Sequence, residues 1–273
     1  LGLIAGSGRF PLLLAEEARR MKVEVVALGI PGVTDKSLEG IVGVRYFKLG
    51  QLDGPIRALK AAGVTQAVMA GKVQHASLFG GVLPDLRAAR VLTRLSDKRT
   101  DTILKAVAEE FAKDGIELVS SAAYLSHLLV PEGILTRRGP DPAETADTRL
   151  GWRAAKALAG FDIGQTVAVQ DGAVVAVEGM EGTDACVLRA GLLARAYGKI
   201  PRLTIVKVAK PDQDMRFDLP VMGLESLKTF AEAGARAIAL EARTTLIFDK
   251  EAFLAQADAQ RLAISAFGPA GPA

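Results

Sequence analysis

The stretch LGLIAGSGRFP, residues 1–11, decides how the chain is to be read. Leu1–Ala5 is a short apolar run of strand type. Gly6, Ser7 and Gly8 then turn the backbone sharply, and Pro11 stands in the first turn of a helix, where its missing N–H costs nothing. Residues 11–21 continue with an apolar stripe at helical spacing. Strand, glycine corner and helix together are how α/β proteins offer backbone N–H groups to phosphate. A dinucleotide fingerprint also needs a third glycine, and an acid about 20 residues on to hold a ribose. Here Pro11 takes the third glycine's place, and the next strand runs out through VALGIPG (26–32) with no acid at its tip. A nicotinamide site is therefore disfavoured. A phosphate or a polar sugar edge at the corner, or a tight turn with no ligand, both stay open.

Outward from the corner, strands and helices alternate. Apolar runs at 23–30, 44–48, 67–70 and 116–120 read as strands. A helix ends near residue 62, and LPDLRAARVLTRL (83–95) and TDTILKAVAEEFAKDG (100–115) read as two more. In the last of these Thr100 is placed as N-cap and Gly115 as the stop. Alternation of this kind implies a mostly parallel sheet. The texture changes at VPEGILTRRGPDPAET (130–145), with three prolines and two glycines, and 131–145 is read as a linker. Beyond it, TVAVQDGAVVAVE (166–178) is a hairpin turning on Asp171-Gly172, of type I′. A helix over 184–196, a strand over 203–209, a helix over 224–233, two strands within AIALEARTTLIFD (237–249) and a helix over 250–261 follow. The tail, 268–273, reads as disordered.

Composition excludes several classes. Of 273 residues 49% are hydrophobic and only 5% aromatic, which suits α/β layers packed by Val, Leu, Ile and Ala. A net charge of +3 is too mild to argue for nucleic acid, and no nucleic-acid partner is expected. The single Cys186 excludes an intrachain disulfide and a cysteine-held metal cluster, and points to a reducing compartment. No run approaches the ~18 apolar residues of a spanning helix. The expectation is a cytoplasmic protein without a leader, its natural start slightly upstream of Leu1.

The histidines offer little: His75 lies in a glycine-flanked loop, and His127 reads as a core residue of an apolar helix. Carboxylates are better placed. VEGMEGTDA (177–185) sets Glu178, Glu181, Thr183 and Asp184 between a strand and a helix. AKPDQDMRFDLPVMG (209–223) packs Lys210, Asp212, Gln213, Asp214, Arg216 and Asp218 between Pro211 and Pro220. KRTDTIL (98–104) puts Lys98, Arg99 and Asp101 at a helix start. Acids and bases mixed at strand ends suit a phosphate-and-metal site, since carboxylates hold Mg²⁺ while cations neutralise phosphate oxygens. Each stretch alone could equally be a solvated loop.

These stretches, with AGKV (70–73), DIGQTVAV (162–169), VVAVEGMEGTDA (174–185) and EARTTLIFD (241–249), carry a resemblance over nearly the whole chain. The chain resembles the LpxI-type UDP-2,3-diacylglucosamine pyrophosphatases. The resemblance implies a cytoplasmic enzyme of lipid A synthesis that hydrolyses the diphosphate of UDP-2,3-diacylglucosamine to 2,3-diacylglucosamine 1-phosphate (lipid X) and UMP. It implies a divalent metal, typically Mg²⁺, and water attacking the phosphorus on the sugar side. Carried over by position, it makes Asp218, Asp101 and Asp184 catalytic, with Glu181 joining them as metal ligands. Gly6, Ser7, Gly8, Lys72, Thr183, Lys210, Gln213 and Arg216 become substrate contacts. The family's Gly-Asp-Asp before the helix stands here as Arg99-Thr100-Asp101, so Asp101 matches and Thr100 departs. The implied architecture is a Rossmann-like domain over 1–130, a hinge at 131–145 and a catalytic α/β domain with a mixed sheet over 146–273, with the lipid between them. Peripheral contact with the inner membrane surface fits a lipid substrate. Oligomeric state is open, a homodimer being common for such enzymes. Two other classes compete: a Rossmann-type oxidoreductase, and a non-catalytic sugar-nucleotide or lipid-binding module.

Overall fold

A computed structural model of the protein describes residues 1–71, 73, 83–95, 100–211, 214–217 and 219–272, the side chains of Thr100 and Asp101 excepted. The chain divides into two compact units, Leu1–Ser126 with Asp214–Asp218, and His127–Gln213 with Leu219–Ala273.

The first unit is built on β1 (Gly2–Ala5), β2 (Val26–Gly29), β3 (Gly43–Tyr46), β4 (Gln66–Ala70) and β5 (Glu117–Leu118). They form a parallel sheet in the order β3-β2-β1-β4-β5. Leu3, Ala27, Ala67 and Val68 are fully buried, as strands covered on both faces require. Helix α1 (Phe10–Arg20) buries Leu14, Ala15 and Ala18. Helices α2 (Asp53–Ala61) and α4 (Thr100–Ala112) bring Ile56, Leu59, Ala108 and Phe111 into one cluster with Leu28 and Ala67. Between them α3 (Leu86–Leu92) is capped by Asp85, whose Oδ1 accepts from Ala88 N at 2.8 Å. The strand order reverses at β1, so the crevice at the carboxyl ends of β1 and β4 is the switch point where such sheets take ligands.

The second unit has a mixed sheet in the order β6-β13-β11-β9-β7-β8. Its strands are β6 (Gly133–Ile134), β7 (Thr166–Gln170), β8 (Ala173–Val177), β9 (Leu203–Lys207), β11 (Ala235–Glu241) and β13 (Ala263–Phe267). β9, β11 and β13 run parallel, while β6, β7 and β8 pair antiparallel. β10 (Val221–Met222) and β12 (Leu246–Ile247) form a short parallel ladder apart from it. Helix α5 (Pro142–Gly160) covers one face, packing Trp152, Ala155 and Ala159 on Val167, Val169, Val206 and Val208. Helices α6 (Thr183–Ala196), α7 (Leu224–Ala233) and α8 (Lys250–Ala259) supply Val187, Ala190, Leu227, Phe230 and Phe253 to the core on Ile205, Ile238 and Ile264. The α/β class, with one mostly parallel and one mixed sheet, is thus as the sequence implies.

The hairpin turn has positive φ at both Asp171 (54°) and Gly172 (76°), as type I′ demands. Its two amides donate to Asp147 of α5, at 3.1 and 2.7 Å. Other particulars differ from expectation. The segment 131–145, read as a linker, carries β6 and a full capping box on α5: Asp141 accepts from Glu144 N, and Glu144 accepts from Asp141 N. Pro142 sits at the start of α5, where it favours the helix instead of breaking it. The expected linker punctuation is therefore a helix N-terminus, and the 19-residue helix behind it is not foreseen in the sequence. His127 is no core residue: it lies exposed in a single 3₁₀ turn, Ser126–Leu128. The tail folds back, with Gly271 at φ 82° so close to the Trp152 indole that a Cβ would meet Nε1 at 2.5 Å.

Candidate active site

In the first unit the glycine corner is seated on the end of β4. Gly6 N donates to Ala70 O at 2.8 Å, extending the β1–β4 ladder past its last strand residues. Gly71 turns away at φ 90°, and a Cβ there would come within 2.6 Å of Ser7 O and 2.9 Å of Gly6 C. Thr34 holds the same end from the other side, donating to Ala5 O at 2.6 Å and accepting from Ile30 N at 2.8 Å. Gly8, at φ 89°, has open space on the side where a Cβ would point. Behind it Arg9 is the N-cap of α1, with no side-chain cap bond, at the positive end of the helix. Gly6 spends its own N–H on the sheet.

The same unit takes in the 214–217 stretch. Ser120, just past β5, donates to Met215 O at 2.8 Å. Phe217 packs on the Ile56–Phe111 cluster. Arg216 forms a two-pronged pair with Asp214, Nε to Oδ1 at 2.8 Å and Nη2 to Oδ2 at 2.6 Å, and stacks over the Phe217 ring. Arg216 holds the Asp214 carboxyl below the usual range, with a smaller push from Lys105 on α4. Lys72, His75, Lys98, Arg99, Asp212, Gln213 and Asp218 lie outside the described residues, as does the side chain of Asp101.

In the second unit the described candidates lie where the chain leaves one end of the sheet, on the loops after β8 and β9 and in the first turn of α6. Lys207 ends β9 and is paired with Thr166 at the start of β7, so the ends of β8, β9 and β11 share that edge. Lys207 is only 8% exposed. Its Nζ donates to Thr183 Oγ1 at 2.7 Å, and Thr183 donates to Glu178 Oε1 at 2.9 Å. Glu178 Oε2 accepts from Gln165 N at 3.2 Å. This chain of bonds ties the start of α6 to the ends of β8 and β9. Asp184, the next residue, is exposed in the first turn of α6, where a carboxylate is favoured by the helix dipole. Glu181 is engaged at both oxygens, by Arg189 Nη2 at 2.5 Å and by Gly179 N at 3.0 Å. Arg189 holds its carboxyl below the usual range. Lys210 is paired with Asp162 at 2.5 Å.

Sequence reasoning overlooks Lys207, Glu241 and Lys156. Glu241 ends β11, 3% exposed, and Lys156 of α5 reaches its Oε2 at 2.6 Å. The available signal is a single charge closing each of two apolar strands, LTIVK and ARAIALE. Among the described residues no three His, Cys, Asp or Glu side chains gather as a metal set. An open groove of about 470 Å³ lined by Arg19, Lys22, Val25 and Ile41 lies at the opposite, amino end of the first sheet, and no candidate residue lines it. No helix among the described residues is long and apolar enough to cross a membrane.

Comparison with known proteins fixes the lineage. Residues 1–128 match the LpxI N-terminal domain and residues 131–265 the LpxI C-terminal domain. The chain belongs to the LpxI family. It is also 33% identical, over 264 residues and 94% of both chains, to a Caulobacter vibrioides protein named UDP-2,3-diacylglucosamine pyrophosphatase LpxI. Membership in this family makes the chain an enzyme, a hydrolase by its named relative. The tip of β2, Gly29-Ile30, carries no ribose-binding acid, in keeping with that lineage.

Proposed function

We propose that this protein hydrolyses the diphosphate of UDP-2,3-diacylglucosamine, releasing UMP and 2,3-diacylglucosamine 1-phosphate in the lipid A pathway. The observation that carries the reading is the 33% identity, over 94% of both chains, to a protein named for acting on that substrate. Asp218, Asp101 and Asp184 are the carboxylates of the reaction. Their hard oxygens suit Mg²⁺, which when bound supplies charge neutralisation and a more acidic water. Glu181 would have to give up Arg189 to join them. Lys210 and Arg216 serve as the phosphate grips; each now rests on a carboxylate, Asp162 and Asp214, which phosphate oxygens would displace. The amides opening α6 offer donors to the same oxygens, and the Thr183 hydroxyl would have to give up Glu178 to join them. The Ser7–Gly8 corner and Lys72 hold the nucleotide or sugar edge, with Gln213 as a further contact. The diacyl substrate brings the protein to the inner membrane surface from the cytoplasmic side.

The test is release of UMP and the sugar 1-phosphate from purified UDP-2,3-diacylglucosamine. The unaltered protein is expected to release both in the presence of Mg²⁺, and Asp218→Ala to lose at least 100-fold, an order of magnitude set by the loss of an electrostatic group at the reacting centre, roughly. No release by the folded, unaltered protein overturns the reaction. Near-normal release by folded Asp218→Ala removes that residue from it, and release undiminished by EDTA removes the metal.

A further inference from the structure

The EARTTLIFD stretch (241–249) has no part in the reaction described above, yet it opens on a carboxylate only 3% exposed at the end of β11. Glu241 Oε2 accepts from Lys156 Nζ at 2.6 Å and from Ala209 N at 2.7 Å. Lys156 Nζ also donates to Ala209 O at 3.1 Å. Both polar atoms of residue 209 are thus held by one ion pair. The residue before it is held as well, Val208 N donating to Gln165 O at 3.0 Å. The residue after it is Lys210, whose ammonium reaches Asp162, two residues past the end of α5, the helix that also carries Lys156.

Burial alone does not call for this arrangement. Ala209 lies two residues past the end of β9, beyond the sheet ladder; its buried amide needs an acceptor, but a neutral one would serve. A buried ion pair costs desolvation that an apolar pair of similar volume avoids, so it adds little to stability. What it does add is direction: a carboxylate and an ammonium, each fixed on a rigid element, define where the peptide at 209 points. We propose that Glu241, with Lys156, is a positioning residue that aims Lys210 at the substrate's phosphate oxygens by fixing the peptide at Ala209. This rests on the reaction assigned above. Neither side chain touches substrate; both act through residue 209.

Misplacing a phosphate grip by about 1 Å reduces turnover while leaving most binding contacts in place, by up to about 100-fold. Glu241→Gln keeps the shape and removes the charge. It is expected to lower kcat about tenfold with KM changed less than about threefold. Exchange of the Ala209 amide, followed by NMR, is expected to speed up about tenfold, while the amides of Ile205 and Ala239 keep their rates. Lys156→Met, at the more exposed end of the pair, is expected to reproduce both effects and to serve if Glu241→Gln does not fold. The double variant is expected to be no worse than Glu241→Gln alone, and Lys156→Arg to restore kcat to within about threefold, since it keeps the charge and reach. Faster exchange spread evenly over β9 and β11 overturns the proposal, as does full kcat in Glu241→Gln beside an active unaltered protein. An inactive unaltered protein overturns instead the assigned reaction, and the exchange rates still decide whether the pair holds residue 209.

Discussion

Gly71→Ala tests the seat of the glycine corner, with Gly8→Ala as its matched control. Both glycines hold nearly the same backbone, φ 90° and 89°. A side chain in that region costs about 1–2 kcal/mol at either position. The surroundings differ. Nothing lies within 4 Å of a Cβ at Gly8, whereas one at Gly71 would stand 2.6 Å from Ser7 O, 2.9 Å from Gly6 C and 3.0 Å from Pro11 Cγ. Two of those three neighbours are backbone held by the Gly6–Ala70 hydrogen bond, so relief requires moving the corner itself. Overpacking of this kind adds about 1–3 kcal/mol. Gly8→Ala is therefore expected to cost about 1–2 kcal/mol and Gly71→Ala about 2–5 kcal/mol. Because the protein has two units, the assay is hydrogen exchange at the β1 and β4 amides, which reports the first sheet by itself. The difference between the two variants isolates the contact from the backbone conformation. Equal costs would refute the close approach of Gly71 to the corner.

Two further outcomes follow from ionisation. Arg87 donates to Glu110 at 2.7 Å and to Asp114 at 2.5 Å. Lys113 first and Arg87 next hold Glu110 below its ordinary range, and Arg87 with Lys60 does so for Asp114. A lowered carboxylate stabilises the fold above its unfolded pKa, about 4, and loses that contribution as pH falls through the folded value. Arg87→Met is accordingly expected to lower Tm by about 2–4 °C near neutral pH, with the gap closing below about pH 4, as thermal melts across pH would read. Burial pushes the Cys186 thiol up to about 11. Ellman's reagent at pH 8 is expected to label it at least about 100-fold faster in urea than in the native protein, the thiolate being the reactive form; equal rates would mean that the thiol is exposed.

Much of the fold is legible because its signals are local. The β1–corner–α1 unit announces itself through an apolar run, two glycines and a proline whose only comfortable place is a first turn. Asp171-Gly172 likewise names its own turn type. What escapes the sequence is pairing at a distance. Prolines at 140 and 142 read as breaks, whereas Asp141 and Glu144 close a capping box that starts α5. Periodicity then fails to announce that helix, because Glu144, Asp147 and Thr148 are buried among its apolar residues. Their partners carry no periodic signal: Glu144 takes both prongs of Arg138, Asp147 receives the hairpin turn, and Thr148 donates to Glu144 O. At the candidate site the exposed residues are visible as polar loops at strand ends. Lys207 and Glu241 are not, since a charge within an apolar run looks like a strand boundary until its partners on other elements are known.

The two sheets end their strands differently, and the difference has a physical basis. In the first unit β1, β2 and β4 finish on Ala5, Gly29 and Ala70, residues small enough for loop backbones to close over the sheet. A backbone amide can then approach a ligand, and position is set by how tightly Gly6, Ser7 and Gly71 pack. In the second unit β9 and β11 finish on Lys207 and Glu241, and position is set by directed bonds to Thr183 and Ala209. A buried charge is a poor way to strengthen a sheet, since well-packed apolar residues hold strands at least as well. It is an effective way to fix where an outgoing loop points, because its partners must sit at bonding distance or leave the charge unsatisfied. Rules of local patterning are broken where geometry matters more than stability, and here both breaches adjoin the loops that carry Thr183, Asp184 and Lys210.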